Sequence, residues 1–145
     1  MIYYEIGSPQ TSLSRDDLKR GLNEAMEKLG ERQKVIAVPP DYTRLPSKAG
    51  ELTEIAWEYY GDKLTDILPA LGTHTPMTDE QISHMFGQTP RELFRDHDWR
   101  NDVITLGEVP AEYVREISEG KVDFTWPAQV NKMLVEEDYD LILSI

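Results

Sequence analysis

Two short polar clusters, Asp41-Tyr42-Thr43-Arg44 and Gly72-Thr73-His74-Thr75-Pro76-Met77, hold the residue types in this 145-residue chain best suited to acid–base or anion chemistry. Each directly follows an apolar run. In the first, Asp41 and Arg44 flank Thr43, so a guanidinium is available to bind a carboxylate or phosphate bidentately while the aspartate orients it or accepts from a hydroxyl. The same spacing suits a plain turn, with Asp41 capping it and Arg44 solvated or ion-paired. In the second, Gly72 permits tight backbone geometry, and His74 comes just before a helix start at Thr78 whose positive end favours anions. A histidine so placed exchanges a proton with a bound substrate near neutral pH. A histidine merely hydrogen-bonded in a strand-to-helix connection would leave the same trace in the sequence.

The other candidates are weaker. His84 falls mid-helix near Ile82 and Met85 and reads as a surface or core histidine rather than a ligand. His97-Asp98-Trp99 offers a histidine–aspartate pair, but no serine or cysteine partner is evident, so it reads as structural. Glu136-Glu137-Asp138 and Asp16-Asp17 read as solvated surface. The carboxylates follow neither an EF-hand spacing nor a His-Glu-x-x-His helix, and no Gly-rich phosphate loop is present, so no metal-ligand motif stands out.

Composition narrows the function classes. With 15 Lys and Arg against 27 Asp and Glu, the formal net charge is −12. That argues against nucleic-acid binding, which needs clustered cations to neutralise phosphates. There is no cysteine, which removes disulfides, thiolate metal sites and a cysteine nucleophile from consideration. No apolar run approaches the roughly 20 residues that span a bilayer, and the N-terminus lacks a signal-peptide layout, so the expected location is the cytoplasm without a membrane partner.

The elements that must position the two clusters follow from the hydrophobic pattern. Lys34 to Pro39 is short, β-branched and stopped by Pro39-Pro40, and reads as a buried strand. Leu64 to Leu71, Asp102 to Leu106 and Asp140 to Ile145 read the same way. Leu18, Leu22, Ala25, Met26 and Leu29 fall on one helical face between a Ser14 cap and Gly30, and Leu52, Ile55, Ala56, Tyr59 and Tyr60 repeat the pattern up to Gly61. Capping boxes at Thr78-Asp79-Glu80-Gln81 and Thr89-Pro90-Arg91-Glu92 predict two further short helices. Val109 to Ile117 suits a helix, Lys121 to Trp126 an exposed or edge strand, and Asn131 to Glu137 one more short helix. Continuous apolar strands alternating with helices predict an α/β fold: a Rossmann-like three-layer sandwich with a mainly parallel sheet, forming one domain over residues 1–145. The chain stops on the last apolar residue of a core strand, which predicts truncation of a larger protein at a point where open α/β sheets carry their ligand sites.

Taken together, the two clusters resemble motifs of the N-terminal domain of the nickel-dependent lactate racemase family. Asp41-Tyr42-Thr43-Arg44 is similar to that family's Asp-His-Thr-Arg motif, and Gly72-Thr73-His74-Thr75-Pro76-Met77-Thr78 to its Gly-Thr-His-Arg-Pro-Met-Thr motif. Val130 to Leu134 followed by Asp140-Leu141-Ile142 also resembles the segment leading into the family's central strand. The resemblance runs over nearly the whole chain from about Lys34. It implies a racemase or epimerase (an isomerase) acting on an α-hydroxy acid, in which a nickel–pincer nucleotide takes and returns a hydride while paired histidines exchange the hydroxyl proton. By position, His74 would be one of those histidines, Arg44 with Asp41 and Thr43 would hold the substrate carboxylate or the cofactor phosphate, and Gly72 and Thr73 would also belong to the substrate- or cofactor-binding set. Tyr42 and Thr75 depart from the family pattern, which puts lactate itself in question as substrate. The second histidine, the cofactor-bearing lysine and the nickel-binding histidine would lie beyond Ile145, so the chain is expected to be inactive alone. Two alternatives stay open: a non-catalytic domain binding a phosphate or carboxylate, and one half of a split protein. Truncation would also expose an apolar face suited to a homodimer.

Overall fold

Local capping chemistry starts the first and third helices where the sequence predicts them. In the computed structural model, which describes residues Met1–Ile145, Ser14 caps helix α1 (Arg15–Leu29) in a reciprocal capping box with Asp17. Thr78 does the same for α3 (Asp79–Phe86) with Gln81. Between them, α2 (Ala49–Tyr60) ends at Gly61, whose φ of 55° is a left-handed conformation that glycine adopts at little cost. The Thr89–Glu92 signal does not produce a capped α-helix. Pro90 itself stands at the cap, only a three-residue 3₁₀ turn (Arg91–Leu93) forms, and the Thr89 hydroxyl instead donates to the Phe86 carbonyl at 2.8 Å.

The chain folds as two compact units, Met1–His97 with Tyr139–Ile145, and Asp98–Asp138. The first is built on a three-stranded parallel sheet in the order β2-β1-β5, with β1 at Val35–Val38, β2 at Leu64–Ile67 and β5 at Leu141–Ser144. Val35 pairs with both Leu64 and Leu141. Asp140 accepts from the Gln33 and Lys34 amides at 2.7 and 3.1 Å, which ties the start of β5 to the start of β1. One face of the sheet, bearing Val35, Ala37, Leu64 and Ile67, shares a continuous apolar core with Met26 of α1, Ala49, Ala56 and Tyr60 of α2, and Ile82, Met85 and Phe86 of α3. At roughly 1.5–3 kcal/mol per fully buried large side chain, this core is what holds the helices on the sheet. The result is the expected parallel-sheet, Rossmann-like α/β fold with flanking helices.

At Gly50, α2 lies against the backbone of α3. A Cβ on this glycine would lie 2.0 Å from the Met85 carbonyl oxygen, so only glycine allows this approach.

The second unit departs from the expectation for Asp102–Leu106. That segment does not join the parallel sheet: β3 (Val103–Val109) pairs antiparallel with β4 (Trp126–Asn131) in a separate two-stranded ribbon. Residues on both strands are largely exposed, so the continuous apolar run at its start marks an exposed ribbon rather than a buried strand. The strand expected at Lys121–Trp126 begins only at Trp126, because Arg115 pairs with Asp123 and Ser118 exchanges hydrogen bonds with the Val122 backbone, closing a turn after α4 (Ala111–Ile117). α5 is a single turn, Met133–Glu136.

Candidate functional site

Parallel pairing of β1 and β2 continues past the strand ends and carries the two polar clusters side by side. The Leu68 amide donates to the Ala37 carbonyl at 2.9 Å and the Ala70 amide to the Pro39 carbonyl at 2.8 Å, with Pro40 and Ala70 bridged in parallel. Asp41 then caps a 3₁₀ helix, Tyr42–Ser47, and its side chain accepts from the Thr43 amide at 3.2 Å and the Thr43 hydroxyl at 2.5 Å. Across the gap, Gly72 takes a φ of 57° and the His74 amide donates to the Leu71 carbonyl at 3.0 Å, closing a turn that presents the imidazole. His74 Nδ1 lies 2.6 Å from Asp41 Oδ2. This pairing joins residues 33 positions apart in sequence.

The two partners differ in exposure: the Asp41 side chain is 8% exposed and that of His74 59%. Burial pushes the Asp41 carboxyl up, but the Thr43 hydroxyl, His74 and the Thr43 amide outweigh it and hold the carboxyl below its ordinary range. The aspartate is therefore an ionised acceptor at neutral pH. A carboxylate only accepts, so His74 donates through Nδ1, and in the neutral imidazole Nε2 carries the lone pair. A buried carboxylate fixing the tautomer of an exposed imidazole is an arrangement for taking a proton from a hydroxyl and returning it.

The pair opens on a cavity of about 270 Å³ lined by Asp41, Tyr42, Thr43, His74, Thr75, Met77 and Gln81. Of the residues singled out from sequence, Asp41, Thr43 and His74 converge here. Arg44 is exposed, makes no ion pair and does not line the cavity, and Gly72 and Thr73 shape the turn without lining it. The other four walls are Tyr42 and Thr75, marked in the sequence only as departures from the family pattern, and Met77 and Gln81, given no part in a site there. The Met77 sulfur accepts from the Tyr42 amide at 3.1 Å, Gln81 closes one side, and Tyr42 reaches His84. The available signal was that Gln81 and His84 stand at i and i+3 on a helix whose start is fixed by the Thr78 cap, and so share a face. His97 and Asp98 play no part in this cavity. Asp98 accepts from the Arg100 and Asn101 amides and the Asn101 side chain instead.

No three His, Asp or Glu side chains converge in a way that could hold a metal ion. No helix is long and apolar enough to cross a membrane.

No protein-family model and no curated protein matches the chain. Among solved structures, a Thermotoga maritima protein is similar over 97% of the chain, at 30% identity and a TM-score of 0.80. The lactate racemase apoprotein of Thermoanaerobacterium thermosaccharolyticum is similar over 90%, at 22% identity and a TM-score of 0.60. The chain spans about a third of each, 34% and 31% of their respective lengths. The fold is thus lactate-racemase-like, as the two sequence clusters imply.

Proposed function

We propose that this chain is the N-terminal catalytic portion of a cytoplasmic racemase or epimerase acting on a small α-hydroxy acid, with His74 as one of its acid–base groups. The observation that carries the reading is the 2.6 Å contact between His74 Nδ1 and the buried Asp41 carboxylate, set beyond the carboxyl ends of parallel strands. Asp41 holds the imidazole in one tautomer, Thr43 holds Asp41, and Nε2 takes the proton of the substrate hydroxyl and gives it back. Inversion at the carbon also needs an acceptor for hydride. A nickel–pincer nucleotide supplies that chemistry when bound, and the resemblance of the motifs to the racemase family is what brings it into the reading. The donors present here do not suit nickel, since no three ligating side chains converge. The chain's own part is therefore proton transfer and orientation of the substrate or of the cofactor's phosphate, and the nickel ligands belong to other residues.

The test is racemisation of D- and L-2-hydroxy acids by the longer protein this proposal requires, with His74→Ala and His74→Gln compared with the parent. Loss of a positioned acid–base group lowers turnover by about 10²-fold or more. Undiminished turnover in both variants removes His74 from the chemistry. The exposed, ion-pair-free Arg44 beside this loop favours a second reading, an anion-holding domain without chemistry. Tight binding of nicotinate mononucleotide that is lost in Arg44→Ala, with no racemisation, would select it.

A further inference from the structure

A second histidine-centred pair stands beside the first, and it uses the residue next in sequence to Asp41. Tyr42 Oη and His84 Nδ1 lie 2.7 Å apart, and the two rings are tilted by 50° with centroids 5.8 Å apart. Tyr42 and His74 line the same cavity. The phenol is held at three points: its backbone by the hydrogen bond to the Met77 sulfur, its place in the chain by the Asp41 cap, and its oxygen by His84. A phenolic oxygen has one proton and acceptor capacity left after donating it. With the His84 proton on Nε2, the hydroxyl donates to Nδ1 and keeps an oxygen lone pair for something else.

Nothing within the chain takes up that lone pair, and a phenol with no ligand to meet could lie anywhere on the surface without the His84 anchor. We infer that Tyr42, oriented by His84, is a specificity-determining residue of the His74 cavity, and that it selects an α-hydroxy acid bearing a second hydroxyl over one ending in a methyl group. The inference rests on the racemase reading for the α-hydroxy acid itself. Thr43, Thr75 and Gln81 add further polar groups to a lining that also carries the apolar surface of Tyr42 and Met77. Tyr42 acts here as an acceptor for the substrate's second hydroxyl. His84 is a positioning residue that acts through Tyr42.

The test compares glycerate with lactate, which differ by one hydroxyl. Both are titrated into this chain by NMR, following the His74 and Tyr42 resonances. Glycerate should bind about 3- to 10-fold tighter than lactate, the worth of one neutral hydrogen bond. Tyr42→Phe should bring that ratio to near one, His84→Ala should lower it, and His84→Asn, whose amide reproduces the Nδ1 position, should restore part of it. In the same spectra, wild-type His84 should hold its ring proton on Nε2, and Tyr42→Phe should release it to a mixture of tautomers. An unaltered His84 tautomer in Tyr42→Phe, a wild type that does not discriminate the two acids, or a preference that survives Tyr42→Phe would each overturn the inference. Turnover is measured separately. A wild type that prefers glycerate in binding but racemises no hydroxy acid in the longer protein sinks the racemase reading and leaves the Tyr42 assignment standing.

Discussion

Replacing Asp41 by Asn separates what this residue does for the fold from what it does for His74. Asp41 Oδ1 accepts two Thr43 donors, the amide at 3.2 Å and the hydroxyl at 2.5 Å, while Oδ2 faces His74 alone at 2.6 Å. In Asp41→Asn the amide oxygen stays with the two Thr43 donors, and the NH₂ group turns to His74. Asparagine caps helices as well as aspartate does, so the 3₁₀ start survives and the unfolding midpoint stays near wild type. Asp41→Ala loses the cap as well and should cost about 1 kcal/mol. The imidazole responds differently. Facing an N–H donor, Nδ1 has to become the acceptor, which moves the proton to Nε2 and leaves no lone pair there. A hydrogen bond to a charged group is worth about 1.5–3 kcal/mol, so the tautomer ratio should move by roughly 10- to 150-fold. Long-range ¹H–¹⁵N spectra of the histidine side chains at pH 8 read this directly, with thermal unfolding of both variants alongside. If His74 keeps the same tautomer in Asp41→Asn, the carboxylate does not set it, and the proton-transfer argument built on this pair fails.

Two further predictions concern stability. Gly50→Ala places a methyl group 2.0 Å from the Met85 backbone oxygen and must push α2 from α3, whereas Gly21→Ala meets only the Tyr4 ring at 2.5 Å, a side chain able to swing aside. Urea denaturation should show a loss of about 1–3 kcal/mol or more for Gly50→Ala and a clearly smaller one for Gly21→Ala, and equal losses would mean that the α2–α3 contact yields easily. The second concerns acid. The Ser14 hydroxyl first, then the Ser14 amide and Arg20, lower the Asp17 carboxyl to about 2. A depressed carboxylate stabilises the fold above the ordinary carboxylate range and loses that contribution as pH falls through its folded value. The urea midpoint of wild type should therefore exceed that of Asp17→Asn near neutral pH, and the gap should close between about pH 4 and pH 2. A gap that is constant over this range would show that the capping box does not depend on the charge.

Much of the scaffold was written locally. Ser14 and Thr78 mark helix starts because a side-chain oxygen three residues from a free amide satisfies it whatever the rest of the chain does. The run around Val35 marks a strand because four apolar residues buried on both sides fit little else, whereas those around Leu64 and Leu141 are less pure, with Thr65 and Asp66 in one and exposed side chains alternating in the other. Asp41, Thr43 and His74 were legible as candidates, since loops after such strands gather polar groups. Local signals failed where a competitor was tertiary or lay just outside the pattern. Thr89 spends its hydroxyl on Phe86 rather than on a cap, and Val103–Leu106 finds its partner in β4 rather than in the parallel sheet.

What the sequence alone could not decide is which candidates meet. Nothing in the spacing of Asp41, His74 and His84 says that the first two pair with each other and that the third belongs to Tyr42. That depends on the parallel register of β1 and β2, which runs on through Pro40 and Ala70, and on α3 packing against α2 at Gly50. Sequence determines hydrogen bonds made within a turn or two because the chain itself supplies the proximity. The Asp41–His74 and Tyr42–His84 contacts span tens of residues, and only burial of a shared core brings their ends within 3 Å and offsets the entropy of holding them there.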